Sequence, residues 1–83
     1  MNDIKIAKDS YVPKQNVKFY MAYNTNTVVE DVRKKRKEGK GFDLTNGKKI
    51  MSVIYLNSGE VIITNISIAT INQRMTENTE KRK

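Results

Sequence analysis

Two apolar segments joined by a short turn constrain the fold of this chain more than any other feature. Residues 49–56 are apolar at nearly every position, and residues 61–65 are rich in Val, Ile and Thr. Such runs on either side of a turn that contains Gly59 are typical of paired antiparallel strands. Because a strand without polar alternation is covered on both faces, we expect a helix on one face of residues 49–56 and a partner subunit or second sheet on the other.

Three further segments read as strands. Residues 4–7 and 17–23 are predicted to be strands connected by a loop, in which Pro13 costs no ladder hydrogen bond. Residues 41–44 are predicted to be a short strand that enters a turn at residues 45–47. The Asn-Gly pair in that turn is typical of tight hairpins, so the pattern predicts antiparallel pairing of this strand with residues 49–56.

The helices are marked by their caps. Residues 27–30 match the capping box, a hydroxyl residue followed three positions later by Glu, and therefore predict a helix start at Thr27. Gly39 is the usual left-handed residue after a helix end. Ser67 is placed to cap a second, short helix over residues 68–75. The sequence therefore predicts an α+β fold, with a small antiparallel sheet, one main α-helix and a short C-terminal helix.

The length allows one domain. The chain has 83 residues, and we expect a single compact domain over residues 1–75 and a disordered polar tail over residues 76–83. A domain of this size buries only roughly 60% of the surface of its unfolded chain, so its core alone is marginal. Assembly into a homo-oligomer is one remedy, and we expect it here.

Composition excludes several functions. The chain contains no Cys and no His, so disulfides, thiolate metal sites and the commonest metal ligand and general base are all missing. We expect a non-enzymatic protein without a metal or a cofactor, and no small-molecule substrate is evident. No apolar run approaches the roughly 20 residues that a membrane span needs, and residues 1–5 lack the pattern of a secretory signal. These features predict a cytoplasmic protein.

The chain is basic and should attract polyanions. It carries 16 Lys and Arg against 9 Asp and Glu, for a net charge of +7. The longest basic run is residues 33–37, in which Arg33 and Arg36 are candidate phosphate contacts. The run has another interpretation, because pairs such as Glu30–Lys34 and Asp31–Lys35 form ordinary surface ion pairs at helical spacing. Consecutive residues also point in different directions around a helix.

Two shorter basic sites occur outside the predicted helix. Lys48 and Lys49 follow the Asn-Gly turn and should project from it, although they could equally be a solubilising turn flank. Lys14 and Lys18 lie on or beside an early strand. Tyr11, Tyr20 and Tyr23 could stack on bases if they were exposed, but tyrosine in a short strand is more often half-buried. The candidate nucleic-acid contacts are therefore Lys48, Lys49, Lys14, Lys18, Arg33 and Arg36.

The order of these features resembles a known family, the RemA-type extracellular-matrix regulatory proteins of low-GC Gram-positive bacteria. The resemblance runs from Val12 to Arg74. It is clearest in the basic helix and strand of residues 32–43, in the Gly and paired cations of residues 46–49, and in residues 60–74. The last stretch combines a strand with Thr and Arg four positions apart.

The resemblance implies a function and a form of assembly. Members of that family are DNA-binding transcription regulators that form ring-shaped homo-oligomers and contact promoter DNA through repeated basic residues. Lys48 and Lys49 match the family's paired cations and are the leading candidates for DNA contacts. The chain departs from the family at Asn16, where a DNA-contacting arginine is expected; Lys14 or Lys18 could supply that charge without the guanidinium fork.

Two other functions fit the same sequence. The basic surface could serve a protein-interaction module, for instance a phage or mobile-element inhibitor that blocks an acidic site on a host protein. The short strands and the expected ring also suit an RNA-binding oligomer of the Sm-like type. Preference for single-stranded RNA over duplex DNA, or capture of a stoichiometric protein partner, would separate these alternatives from DNA binding.

Overall fold

The fold is described from a computed structural model, which covers residues 2–77. Its helices and strands confirm the predicted α+β class. In chain order they are β1 (Asp3–Ala7), β2 (Ser10–Pro13), a 3₁₀ turn (Lys14–Asn16), β3 (Val17–Ala22), α1 (Asn26–Lys37), β4 (Gly41–Asp43), β5 (Ser52–Leu56), β6 (Val61–Thr64) and α2 (Ile68–Thr76). No helix within residues 2–77 is long and apolar enough to cross a membrane.

The main sheet has four strands in the order β3-β5-β6-β4. β5 pairs antiparallel with β3 and with β6, and Val53 lies opposite Ile63 in the β5–β6 ladder. This confirms the antiparallel pair predicted from the two apolar segments. β1 and β2 form a separate antiparallel hairpin.

One face of the sheet is covered by α1. Val28 and Val32 of α1 pack with Val53, Val61 and Ile63 of the two central strands, and all five side chains are buried. Val28 and Val32 are four residues apart and so lie on one side of the helix. This narrow apolar stripe is extended by partly buried side chains that pack around it, among them Met21 of β3 and Tyr55 of β5.

The opposite face is covered by the β1–β2 hairpin and α2. Ile54 and Ile62 point to this side and pack with Ile4, Ile6 and Ile71. The Thr64 hydroxyl, which is buried, donates to the Ile6 carbonyl at 2.6 Å and ties β6 to β1. β5 is therefore covered on both faces, as predicted, and the second cover is a small sheet of the same chain.

The β1–β2 hairpin corrects the expectation of a loop before β3. Ser10–Pro13 is a strand, and Val12 in it is buried against Ile54 and Ile71. The sequence predicts Pro13 in a loop, but it stands at the last position of β2, opposite Asp3. A strand end tolerates proline because no further ladder bond is required of its nitrogen.

The expected hairpin between β4 and β5 is wrong. β4 pairs parallel with β6 and lies at the edge of the sheet, so it is not a neighbour of β5. Asn46 and Gly47 do adopt the left-handed φ angles of 56° and 80° that the turn chemistry predicts. The dipeptide fixes the local backbone only. β5 pairs with β3 along one edge and with the longer β6 along the other. The three-residue β4 therefore lies at the edge of the sheet, beside β6.

Two of the four helix ends agree with the sequence, those marked by Gly39 and Ser67. Thr25, and not the predicted Thr27, caps α1, and its hydroxyl accepts from the Val28 N–H at 3.3 Å. Either threonine can cap, and the earlier one extends the helix by two residues. Gly39 follows α1 with a φ of 76°, and Ser67 caps α2 as predicted. Thr76 still belongs to α2 rather than to the predicted tail; residues 78–83 of that tail lie outside the described residues.

Candidate functional site

The loop between β4 and β5 presents Lys48 and Lys49 and is fixed at both ends. The Leu44 N–H donates to the Ile63 carbonyl at 2.9 Å, and the Met51 N–H donates to the Thr64 carbonyl at 2.9 Å. Both acceptors belong to β6, in the middle of the sheet. The loop therefore crosses the end of β6 and is hydrogen-bonded to that strand on both sides of the two lysines. The backbone that carries Lys48 and Lys49 is held in place by the sheet.

Thr45 fixes the inner side of this loop. It is only 3% exposed, and its N–H and hydroxyl both donate to Asp43 Oδ1, at 2.9 and 2.7 Å. The hydroxyl of Thr45, then its backbone N–H, then the Arg36 guanidinium lower the pKa of Asp43. Asp43 is thus a carboxylate at neutral pH, and it joins the loop to the last turn of α1.

Lys48 and Lys49 are both exposed. The Lys48 N–H donates to the Thr45 carbonyl at 3.0 Å and closes the turn, so the backbone is held while the side chain is free. No carboxylate of residues 2–77 lies within 4.0 Å of either ammonium group. The two lysines therefore face solvent without a carboxylate partner among residues 2–77.

The basic run of α1 is not neutralised in the way its spacing allows. The predicted Glu30–Lys34 and Asp31–Lys35 ion pairs are not formed. Asp31 instead accepts a hydrogen bond from the Tyr55 hydroxyl at 2.8 Å. Burial, together with the Asp31 carboxylate, raises the pKa of Tyr55 to about 12, so this hydroxyl remains a donor. The Asp31 carboxylate therefore binds the Tyr55 hydroxyl of β5 and does not form an ion pair with Lys35.

Arg33 and Arg36 lie on the same side of α1. Together with Lys37, Val32 and Tyr23 they line a cleft of about 430 Å³ between the helix and the chain after β3. Arg36 also makes a 3.6 Å ion pair with Asp43. The basic run does point in several directions, as expected, but three of its cations converge on one cleft.

Lys14 and Lys18 stand apart from the loop that carries Lys48 and Lys49. The Lys14 ammonium donates to the Glu77 carbonyl at 2.7 Å, beneath the β1–β2 hairpin. Lys18 is exposed, and its ammonium lies 5.9 Å from the centroid of the Phe19 ring. These two positions do not extend the Lys48–Lys49 surface by any contact within the described residues.

The tyrosines divide into two groups. Tyr20 and Tyr23 are half-buried, as the sequence suggests, and the Tyr20 hydroxyl donates to the Asn72 side chain at 2.8 Å. Tyr11 is 63% exposed and departs from that expectation. Lys37 belongs to the basic run of residues 33–37 but was not among the predicted contacts, and Tyr23 was predicted only as a possible base-stacking residue. The spacing of residues 33, 36 and 37, at i, i+3 and i+4, was the signal that could have shown a common face.

These features define a small basic α+β protein that displays an anchored lysine pair and a cationic cleft. The chain matches the family model described as RemA-like, extracellular matrix regulatory protein A-like, over residues 4–75. The chain belongs to the RemA-like family. A search of curated proteins gave no match.

Proposed function

We propose that this protein is a non-enzymatic regulator that binds duplex DNA, with Lys48 and Lys49 as its principal phosphate contacts. The observation that carries the proposal is the pair itself: two adjacent exposed cations, without a carboxylate within 4.0 Å among residues 2–77, on a loop bonded at both ends to the sheet. Membership of a family of extracellular matrix regulators agrees with a regulatory role.

The anchored loop favours phosphate binding for an energetic reason. Binding through a mobile loop loses affinity to the ordering of its backbone. The hydrogen bonds from Leu44, Lys48 and Met51 order this loop in advance. Lysine is a compact point charge with no fixed hydrogen-bonding fork, so it suits phosphate oxygens better than base edges. Sequence preference would then come largely from the shape and stiffness of the DNA.

We further propose that the protein acts as a ring-like homo-oligomer. Two lysines per chain release few counterions, and repetition around an assembly turns such weak contacts into avidity. Each edge strand of the main sheet also carries a large exposed apolar side chain, Phe19 in β3 at 41% and Phe42 in β4 at 47%. Two different apolar edges suit a head-to-tail contact, which closes into a ring when the rotation between copies allows it.

The test compares two charge-matched variants of the full chain by filter binding to a duplex. Lys48→Gln/Lys49→Gln removes the proposed contacts, and Lys5→Gln/Lys8→Gln removes the same charge from exposed positions of the β1–β2 hairpin. At about 0.1 M salt one phosphate contact is worth roughly tenfold in affinity. We expect the first variant to lose roughly a hundredfold in affinity for each subunit that touches the duplex, and the second to lose less than tenfold.

Equal losses in the two variants would show that net charge, and not the loop, governs binding. A single-stranded RNA of the same length serves as competitor. If RNA displaces the duplex at a lower concentration than unlabelled duplex does, the DNA assignment is wrong and the Sm-like alternative takes its place. If neither nucleic acid binds the wild-type chain at low salt, the protein-interaction alternative is favoured.

A further inference from the structure

The cleft beside the C-terminal half of α1 is a candidate second site for an anion, distinct from the loop that carries Lys48 and Lys49. Arg33, Arg36 and Lys37 line it from the helix, Val32 forms part of its floor, and Tyr23 closes it from the segment after β3. Its volume of about 430 Å³ lies within the range of roughly 300–1,000 Å³ that small-ligand pockets occupy.

The three cations leave the cleft strongly positive. Within residues 2–77, neither Arg33 nor Lys37 has a carboxylate within 4.0 Å, and only Arg36 is paired, with Asp43 at 3.6 Å. Basic residues in the last turn of a helix also offset its dipole, but that dipole amounts to only about half a negative charge. One cation is enough to offset the helix dipole, so the positive charge of the other two cations is not balanced by it.

Arg36 is held in position by the strand beneath it. A Cβ at Gly41 would lie 2.6 Å from the Arg36 Cγ, so the absence of a side chain at Gly41 is what lets the arginine stem cross β4. Its guanidinium then reaches Asp43, whose carboxylate is itself held by Thr45. An arginine fixed at both its stem and its head is oriented before any ligand arrives, which lowers the entropic cost of binding.

The other two lining residues, Tyr23 and Val32, are held in place by the core beneath α1. Val32 is only 1% exposed and belongs to the core beneath α1. Tyr23 packs on the same core, and its N–H donates to the Met51 carbonyl at 3.1 Å. A floor of this kind can take the flat face of a ring, while the cations at the rim take phosphates. A duplex presents a convex row of phosphates and would leave such a floor empty.

We propose that the cleft binds a nucleotide, with its phosphates on Arg33 and Lys37 and its base against the half-buried Tyr23. Arg36, oriented by Asp43, adds a third contact to the phosphates. The proposed DNA contacts, Lys48 and Lys49, do not line this cleft. Tyr23 also lines a shallow pocket with Lys49, so the two sites are neighbours.

The experiment measures ATP binding by calorimetry, without added metal, in the full chain and in two variants. Arg33→Gln/Lys37→Gln removes two cations from the cleft. Lys34→Gln/Lys35→Gln removes the same charge from the same helix at positions that do not line the cleft. We expect the first change to weaken ATP binding at least tenfold and the second to weaken it less than threefold. Lys37→Gln alone, at an exposed position, provides the comparison if the double variant does not fold.

Adenosine and inorganic triphosphate separate the two halves of the ligand. We expect each of them to bind at least tenfold more weakly than ATP. Triphosphate that binds as tightly as ATP would overturn the role of Tyr23, and adenosine that does so would overturn the role of the cations. Equal ATP affinity in the two variants, or no ATP binding by the wild-type chain, would also overturn the proposal.

Duplex binding by the same variants keeps this proposal distinct from the proposed function. Arg33→Gln/Lys37→Gln should keep a DNA affinity within about threefold of that of Lys34→Gln/Lys35→Gln. If it loses DNA affinity instead, and the wild-type chain binds no ATP, the cleft is part of the DNA surface and the nucleotide site is refuted. If the wild-type chain binds ATP but no duplex, the proposed function fails while the nucleotide site stands.

Discussion

Gly41 is the position at which one added methyl group tests the packing between α1 and β4. An alanine Cβ there would stand 2.6 Å from the Arg36 Cγ and 3.2 Å from the Arg36 Cα. The first distance is shorter than such contacts allow, and the second involves backbone that cannot swing away. Either the last turn of α1 must move off the strand, or Arg36 must leave its rotamer and its ion pair with Asp43.

Two effects of opposite sign decide the magnitude. Gly41 does not have the positive φ of Gly39, so alanine fits its backbone and gains about 0.4–1 kcal/mol by restricting the unfolded chain. Overpacking against Arg36 costs about 1–3 kcal/mol. We therefore expect Gly41→Ala to lower the free energy of unfolding by about 1–2 kcal/mol. For a domain of this size that corresponds to a fall in Tm of roughly 4–16 °C.

Urea unfolding of a double-mutant cycle measures the effect. Arg36→Ala removes the Cγ that the new methyl group would meet, so Gly41→Ala should cost at least about 1 kcal/mol less in that background than in the wild type. If Gly41→Ala has the same cost in both backgrounds, the clash with Arg36 is not its cause. A stabilised Gly41→Ala single variant would refute the close approach itself.

Two further stability predictions follow from single side chains. Because the pKa of Tyr55 is raised from 10.0 to about 12 in the folded state, the stabilisation from this hydroxyl is complete below about pH 10 and is lost as the pH rises toward 12. The unfolding free energy of the wild type should therefore fall more steeply over that interval than that of Tyr55→Phe; parallel curves would contradict the burial of this hydroxyl and its hydrogen bond to Asp31. Ser67→Ala removes the cap of α2 and should cost about 1 kcal/mol by urea unfolding. Ser58→Ala is the control. The Ser58 hydroxyl donates to the Glu60 carboxylate in an exposed hydrogen bond, so its loss should change stability by less than about 0.5 kcal/mol.

The sequence was informative where burial and local chemistry agree. β5 and β6 were predictable because a nearly continuous apolar run is typical of a strand covered on both faces. Ser67 and Gly39 were predictable because a cap depends on neighbouring residues only. Lys48 and Lys49 were correctly placed on an exposed turn, since Asn46 and Gly47 determine that backbone locally.

What could not be predicted depends on partners distant in sequence. The pairing of β4 with β6 in place of β5 is decided by competition for one strand edge, which no local pattern of residues 41–47 records. The strand Ser10–Pro13 was missed because its stability comes from Val12 packing on Ile54 and Ile71. Likewise the cleft requires Tyr23 and Gly41 to lie beside α1, and only the fold brings those positions together.

The salt dependence of duplex binding is the most direct measure of whether phosphates lie on Lys48 and Lys49. Each phosphate contact contributes about −0.9 to the slope of log K against log salt concentration. We predict that Lys48→Gln/Lys49→Gln makes this slope less negative by about 2 for every subunit that touches the duplex, while Lys5→Gln/Lys8→Gln leaves it unchanged. A slope that is the same in the wild type and in Lys48→Gln/Lys49→Gln would contradict the account, because it would mean that phosphates do not lie on these lysines.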